Sequence, residues 1–239
     1  MAAARVACVR GAWCWTCKAC RPIWAPWPTC HSACGAAAFN VENLAAAALA
    51  AAVVGWPLAA VKQVLSTFGC QSDDNPGRLQ RFEHRGATVL VDYAHNPDGL
   101  AQLLAVARKL LASRPRAGAG ARLGLLLGQA GNRNDLAIAE LARVAAGFGP
   151  DQVLIKELPQ MLRGRAAGSV SALIEQALLQ AGMPPGSLAR VDDEEAAAQQ
   201  LLNWARPGDV VVLPLHTTAV RERVLSLLQA IKATATRMP

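Results

Sequence analysis

Two kinds of segment alternate along most of the chain. Short, almost continuous apolar runs of four or five residues are followed by longer stretches in which apolar residues recur every three or four positions. The first pattern is typical of strands buried on both faces, and the second of amphipathic helices. Because strands separated by helices of this length form βαβ units, the pattern predicts an α/β fold with a mostly parallel sheet.

The predicted elements of this fold begin near residue 78. Arg78–Glu83 and Thr88–Val91 flank a turn at Arg85-Gly86 and predict an antiparallel pair. Four strands and five helices are predicted after them, with strands at Leu123–Leu127, Gln152–Ile155, Ala189–Val191 and Val210–Pro214 and helices at Pro97–Leu111, Asn134–Ala146, Ser169–Gln180, Glu194–Trp204 and Thr218–Ile231. We therefore expect a Rossmann-like sheet with flanking helices and an antiparallel hairpin at its amino-terminal end.

A smaller helical region precedes this sheet. Leu44–Val54 is rich in alanine and predicts a helix, which Gly55-Trp56-Pro57 ends. Leu58–Phe68 predicts a second short helix, and the polar stretch from Gln71 to Gly77 predicts a linker. The chain is therefore expected to contain a helical region over residues 36–75 and an α/β domain over residues 76–235.

Residues 1–35 differ from the rest in composition. They contain four of the six tryptophans and six of the seven cysteines, namely Cys8, Cys14, Cys17, Cys20, Cys30 and Cys34. We expect a disordered leader, unrelated to the domains that follow and translated out of frame or from a misassigned start. The alternative is a zinc site built on the CxxC spacings and His31. Tryptophan and proline between the cysteines argue against it, since zinc knuckles normally place glycine or polar turns there.

Charge and hydropathy exclude two classes of protein. The net charge of +7 includes four basic residues of the first 35, and the remaining charge is spread without a basic stripe, so we expect no nucleic-acid partner. The longest apolar segment, Leu44–Val54, is too short to span a bilayer, so we expect no membrane partner. Cys70 is the single cysteine after residue 35, which is typical of a reduced, cytoplasmic protein.

The segment from Val89 to Pro97 carries the clearest candidate chemistry. An apolar strand ends at Asp92, a loop with His95 and Asn96 follows, and Pro97 is suited to the first position of a helix. Parallel sheets bind ligands at the carboxyl ends of their strands, where a carboxylate can accept both hydroxyls of a ribose and a helix amino terminus favours anions. The alternative is that Asp92 and Asn96 only cap the helix. The residues alone leave both interpretations open.

Residues 92–98, Asp-Tyr-Ala-His-Asn-Pro-Asp, resemble the signature of the carboxy-terminal domain of the Mur ligase family. That family includes muramyl-peptide ligases, folylpolyglutamate synthetases and cyanophycin synthetases. Four further segments agree in order, and the resemblance covers residues 38 to about 230. These are Asn40 with Asn43, Pro76-Gly77-Arg78-Leu79, Gly128–Asp135 (GQAGNRND) and Leu162-Arg163-Gly164-Arg165, the last resembling the cyanophycin synthetase branch.

The resemblance implies roles for particular residues. A nucleotide would contact Asn40 and Asn43 at its adenine, Arg78 at its phosphates, Asp92 at its ribose, and His95 and Asn96 along the pocket. An amino-acid carboxylate would contact Asn132, Arg133 and Asn134, with Arg163 and Arg165 as a clamp. Helix caps, a solvated arginine and a basic loop are the alternatives for these substrate residues. Asn132 also stands where the family usually has an acidic residue, which weakens the transfer of substrate contacts.

The resemblance implies an ATP-dependent acid–amino acid ligase that uses ATP and Mg²⁺. The sequence contains no G-x-x-G-K-[ST] phosphate loop. We therefore expect an amino-terminally truncated ligase, with residues 36–75 a remnant of the central ATPase domain, inactive alone, and paired with a second copy or an ATPase domain. The alternative is a non-catalytic module that binds a nucleotide or an amino acid beside a separate ATPase subunit. A zinc-dependent nucleic-acid binder is a third hypothesis.

Overall fold

A computed structural model describes residues 6–9, 12–15, 38–68, 75–113 and 120–235. The chain divides into two compact units, Met1–Asp74 and Asn75–Pro239. Side chains before residue 42 lie outside the description, and those of the leader cysteines are among them. The zinc site and the origin of residues 1–35 therefore stay predictions.

The first unit contains a strand pair and two helices. Strands β1 (Val6–Val9) and β2 (Ala12–Trp15) pair antiparallel, in a region where the sequence shows no strand pattern. Four-residue strands are too short to display an alternation, although valine and tryptophan favour strands. Helix α1 (Ala38–Val53) begins six residues before its predicted start, because the flanking alanines extend the helix through the asparagines. Helix α2 (Leu58–Thr67) follows.

Gly55 explains the break between these two helices. It adopts a φ of +85°, a conformation that glycine reaches without steric cost and that ends a helix. Large apolar side chains around this break are exposed, and Val53, Val54, Trp56 and Leu58 are each more than 60% accessible.

The second unit has the predicted α/β fold. Its strands are β3 (Gln80–His84), β4 (Ala87–Asp92), β5 (Leu123–Leu127), β6 (Gln152–Lys156), β7 (Leu188–Val191) and β8 (Val210–Pro214). Its helices are α3 (Pro97–Ala112), α4 (Asp135–Gly147), α5 (Ser169–Gln180), α6 (Glu194–Trp204) and α7 (Thr218–Ala235), with short 3₁₀ turns at Pro159–Met161 and Pro185–Ser187. These bounds agree with the predicted ones to within a few residues.

The six strands form one sheet in the order β3-β4-β8-β5-β6-β7. All neighbours are parallel except β3 and β4, which form the predicted antiparallel hairpin. Arg85 and Gly86 both have positive φ in its two-residue turn, as the twist of a tight hairpin requires. The predicted fold class is therefore confirmed.

Helices cover both faces of this sheet. Residues of α6 and α7 form a core with alternate strand residues such as Val89, Val91, Val211 and Leu213. The intervening buried residues, Leu90 and Val212 among them, face the side covered by α3, α4 and α5. Burial on both faces explains why the central strands are continuous apolar runs.

The parallel arrangement brings four loops to one edge of the sheet. The strands β4, β8, β5 and β6 are neighbours, so the loops that follow their carboxyl ends lie side by side. Asp92 at the end of β4 is in register with Pro214 at the end of β8. In the residues that the structure describes, no helix combines the length and the hydropathy needed to cross a membrane.

Candidate functional site

Asp92 joins two of the predicted motifs. Its Oδ2 accepts a hydrogen bond of 2.7 Å from the backbone amide of Leu79, the residue after Arg78. Burial raises the pKa of the Asp92 carboxyl above its usual value, although backbone amides and the charge of Arg78 lower it in part. The Pro-Gly-Arg turn and the loop after β4 therefore form one site around a carboxylate that is costly to charge in the free protein.

Asn96 caps helix α3, as the alternative interpretation predicted. Its Oδ1 accepts a hydrogen bond of 2.7 Å from the amide of Gly99, and its backbone is extended. Asp92 does not share this capping role, since its oxygen bonds to Leu79 instead. A contact between Asn96 and a nucleotide stays a prediction.

His95 lies half-buried in the middle of the same loop. Its Nδ1 is 3.3 Å from the carbonyl of Tyr93, and the two rings are 5.2 Å apart between centroids. The His95 carbonyl accepts a hydrogen bond of 2.9 Å from Nε2 of buried Gln129, which lies after β5. Two neighbouring edge loops are thereby joined, and the role of the His95 side chain toward a nucleotide stays a prediction.

A buried ion pair lies behind this edge. Lys156, at the end of β6, is fully buried, and its Nζ donates to Glu194 Oε1 and to the carbonyl of Pro214. The Glu194 carboxylate also accepts from the amides of His216 at 2.7 Å and of Thr217 at 2.9 Å. One carboxylate at the start of α6 therefore fixes both the end of β6 and the loop after β8. We call Lys156, Glu194 and His216 the buried triad.

The triad also reaches the loop after β4. His216 Nε2 lies 3.0 Å from the carbonyl of Ala94, and because a carbonyl only accepts, this nitrogen carries the proton. Burial and the positive charge of Lys156 lower the pKa of His216 to about 3, so its ring is neutral at physiological pH. Burial tends to raise the pKa of Glu194, but the Lys156 charge and three hydrogen bonds lower it to about 2.

The buried triad was not predicted from the sequence. Lys156 and Glu194 are 38 residues apart in the chain, and neither belongs to a recognisable motif. The available signal was a lysine placed directly after the apolar run Val153–Ile155, at the end of a strand predicted to be buried on both faces. A charged residue at such a position requires a buried partner.

The predicted substrate loop, Gly128–Asp135, is held by one of the predicted clamp residues. Arg165 donates from Nε to the carbonyl of Gly131 at 2.9 Å and from Nη2 to that of Arg133 at 2.7 Å, and it forms an ion pair of 2.8 Å with Asp135. The amide of Gly131 bonds to the carbonyl of Met161 at 2.8 Å. Much of the hydrogen-bonding capacity of Arg165 is thus directed at the loop itself.

The other predicted substrate residues differ in whether the side chain caps a helix or lies exposed on a loop. Asn134 caps α4 by accepting a hydrogen bond of 2.8 Å from the amide of Ala137. Asn132 and Arg133 are exposed on the loop, and Arg163 is exposed at a positive φ of 51°. Binding of a carboxylate by these residues stays a prediction.

Asn40 and Asn43 lie in helix α1, in the other unit of the chain. Asn43 is exposed, whereas the side chain of Asn40 lies outside the described residues. Their predicted place beside an adenine stays a prediction. Among the residues that the structure describes, no group of three or more histidine, cysteine, aspartate or glutamate side chains is arranged to hold a metal ion.

Sequence relatives share this domain. The chain is 32% identical over 200 residues to a cyanophycin synthetase of Synechocystis sp. The matched region covers 83% of this chain and 21% of that protein. It is also 32% identical over 178 residues to a UDP-N-acetylmuramoyl-L-alanyl-D-glutamate–2,6-diaminopimelate ligase of Gloeobacter violaceus. This match covers 73% of the chain and 32% of that ligase. The chain therefore spans only about a fifth to a third of the length of these relatives.

Solved structures share the fold. A bifunctional folylpolyglutamate synthase/dihydrofolate synthase from Yersinia pestis superposes with a TM-score of 0.55 at 20% identity, covering 91% of this chain and 44% of that one. The Escherichia coli protein FolC superposes with a TM-score of 0.51 at 21% identity, covering 79% and 38%. At these identities the similarity is one of fold.

A family model gives the assignment. The model described as "Mur ligase, glutamate ligase domain" matches residues 77–214, which is more than half of the chain. The match includes the Pro-Gly-Arg turn from Gly77 onward, the loop after β4 and the Gly128–Asp135 loop. The chain therefore belongs to the Mur ligase family and carries the glutamate ligase domain of that family.

Proposed function

We propose that the α/β unit contributes part of the nucleotide site and of the amino-acid site to an ATP-dependent acid–amino acid ligase of the cyanophycin synthetase kind. The observation that carries this proposal is the geometry of Asp92. This carboxylate lies at the carboxyl edge of a parallel sheet, is bonded to the turn that presents Arg78, and has a raised pKa. In this proposal, it accepts hydrogen bonds from the hydroxyls of a ribose.

The residues around Asp92 suit a nucleotide. A half-buried carboxylate that is costly to charge gains most from a ligand that donates hydrogen bonds to it, as two ribose hydroxyls would. Arg78 is exposed beside it and offers a guanidinium to phosphate oxygens. Related folds were solved with AMPPNP and Mn, and with ADP. We include Mg²⁺ in the proposal as a companion of the nucleotide phosphates and assign no ligand for it to this chain.

The second half of the proposed site is the Gly128–Asp135 loop. Asn132 and Arg133 are exposed on the loop that Arg165 holds in place, and Arg163 is exposed on the neighbouring segment. Arginine and asparagine donors of this kind suit the carboxylate of an incoming amino acid. In the whole ligase, an acid would take the γ-phosphoryl group of ATP to form an acyl phosphate and ADP, and the amine of this amino acid would attack the acyl carbon and release phosphate. The work of this unit would be to bind and orient both partners.

The cost of charging Asp92 leads to the first prediction. Asp92→Asn keeps an oxygen for the Leu79 amide but offers one acceptor oxygen fewer to a ligand. We expect the variant to unfold at the same temperature as the wild type or a slightly higher one, because the half-buried side chain is no longer charged. We expect its affinity for ADP, measured by calorimetry, to fall at least tenfold.

The matched control is Asp98→Asn. Asp98 is exposed in the first turn of α3, six residues further along the same motif, and should leave ADP affinity unchanged. Wild-type affinity in the Asp92→Asn variant would contradict the proposal.

Because the α/β unit, Asn75–Pro239, is compact by itself, a second form of the proposal is a binding module that acts with a separate ATPase subunit. Both forms predict no ATP turnover by the chain alone, and they differ in whether a separate ATPase domain restores it. ATP hydrolysis measured on the chain, and again after adding a family ATPase domain, separates them. Turnover by the chain alone would contradict both forms, whereas turnover that needs the second subunit supports the module. We also propose that the chain is cytoplasmic and that it self-associates.

A further inference from the structure

We propose that Arg221 and Arg78 together form a polyphosphate-binding site on the ring of Tyr93. Arg221 lies on helix α7, far from the motifs along the chain, and nothing in the sequence marks it. The identity of the phosphate-bearing ligand as a nucleotide rests on the proposed function, whereas the paired-arginine site rests on the contacts described below.

Tyr93 is the platform of this site. The guanidinium carbon of Arg78 lies 5.2 Å from the centroid of the Tyr93 ring, and that of Arg221 lies 5.7 Å from it. Both distances are within the range of cation–π contacts. The ring itself is positioned by an edge contact with His216, with centroids 5.6 Å apart at 82°. The buried triad therefore fixes the surface on which both arginines lie.

Gly77 makes room for the second arginine. This glycine, in the Pro-Gly-Arg turn, has a φ of +73°, and a Cβ built on it would lie 2.8 Å from both Cδ and Nε of Arg221. No side chain fits there unless Arg221 moves. The turn that presents Arg78 thus also leaves the space through which Arg221 approaches Tyr93.

The two arginines have spare hydrogen-bonding capacity. Arg221 donates from Nη1 to the Leu215 carbonyl at 3.3 Å and from Nη2 to Thr218 Oγ1 at 3.5 Å, which are long contacts with neutral groups. In the part of the chain that the structure describes, neither Arg78 nor Arg221 forms an ion pair, whereas Arg122, Arg165 and Arg223 each pair with a carboxylate.

An anion would complete this arrangement. Two guanidinium groups share one aromatic ring, and the nearby Asp92 carboxyl, whose pKa the charge of Arg78 lowers in part, is already bonded to Leu79. The remaining positive charge is best balanced by a ligand with several closely spaced oxygens, since each guanidinium binds oxygens in pairs. The site therefore suits a chain of phosphates better than a single carboxylate.

The test compares four probes on the 239-residue chain, namely ATP, ADP, adenosine and inorganic tripolyphosphate. Arg221→Gln should weaken ATP and tripolyphosphate about tenfold or more while changing adenosine affinity less than twofold. Arg223→Gln is the matched control, because Arg223 lies two residues along the same helix, is exposed, and should leave all four affinities unchanged. Circular dichroism of both variants checks that they are folded.

The outcomes separate this inference from the proposed function. Equal loss of ATP and adenosine in Arg221→Gln would mean that Arg221 only supports the fold of the site, and unchanged ATP and tripolyphosphate affinity would mean that it takes no part; either result overturns the inference. If the wild type binds tripolyphosphate through Arg221 but binds neither ATP nor adenosine, the proposed function fails and the anion site stands. If the wild type does not bind tripolyphosphate, the anion site is wrong.

Discussion

The loop after β4 and the loop after β5 lie at the same edge of the sheet but are held in different ways. The first, residues 92–97, is held by buried side chains, namely His216 on the Ala94 carbonyl and, from the start of the second loop, Gln129 on the His95 carbonyl. The second, residues 128–135, is held from the front by Arg165, whose side chain is 25% exposed. The geometry of the first loop therefore depends on the interior of the domain, whereas the exposed part of the second, residues 132–135, can be loosened locally.

The largest expected effect comes from removing the cation of the buried triad. Lys156→Ala leaves the Glu194 carboxylate buried without its partner, and loss of one member of such a pair costs about 3–5 kcal/mol. We expect that loss in the free energy of unfolding, measured with urea. The double variant Lys156→Met with Glu194→Gln removes both charges and should recover much of the stability. A single variant as stable as the wild type would show that the ion pair does not stabilise the folded domain.

The second-largest expected effect is that of acid, which should lower the stability of the domain through His216, the residue that holds the first loop. The pKa of His216 falls from an ordinary 6.5 to about 3 in the folded state, so below pH 6.5 the unfolded chain binds a proton that the folded one does not. Stability is therefore complete above pH 6.5 and falls toward pH 3, by about 2–3 kcal/mol at pH 4.5 from this residue alone. The depressed pKa of Glu194 acts in the same direction below pH 4.5.

Urea midpoints at pH 7.5, 5.5 and 4.5 measure this dependence. Burial also lowers the pKa of His84, so this residue contributes to the pH dependence of stability as well. The His84→Gln variant serves as the control that measures the contribution of His84. A midpoint that does not change between pH 7.5 and 4.5 would contradict the neutral, buried state of His216.

The smallest effect on stability is expected from the second loop. Arg165→Ala removes two hydrogen bonds and a partly exposed ion pair, for which we expect about 1 kcal/mol in the free energy of unfolding. Hydrogen exchange should accelerate at the amides of residues 128–135 and stay unchanged at residues 92–97. Arg163→Ala, at an exposed neighbour, is the control. Faster exchange in both loops would remove the distinction between them.

The fold was predictable because its signals are local. The strands β5 and β8 and the helices α5 and α6 have the predicted bounds, since burial on both faces makes each strand an uninterrupted apolar run. The early start of α1 and the pair β1–β2 were missed, because alanine propensity and four-residue strands leave no periodic pattern.

The positions of the candidate site residues were predictable only where those residues belong to a sequence motif. Asp92, His95 and the Gly128–Asp135 loop are at the expected edge of the sheet, because the end of a strand is visible in the sequence. The residues that support them are not apparent in the sequence. Glu194 contacts Lys156, and Arg221 contacts Tyr93, only once the sheet has formed. Arg165 shows the same limit, since the sequence indicates a basic residue but not that it binds the neighbouring loop.

The place of β8 in the sheet has a consequence for synthesis on the ribosome. This strand, Val210–Pro214, is the last to be made, yet it lies in the middle of the sheet between β4 and β5. Until it emerges from the exit tunnel, β4 and β5 have no common neighbour, and their apolar edges stay open to wrong partners. The domain should therefore close in one late step, and nascent chains that stop before residue 210 should depend on chaperones to remain free of aggregates.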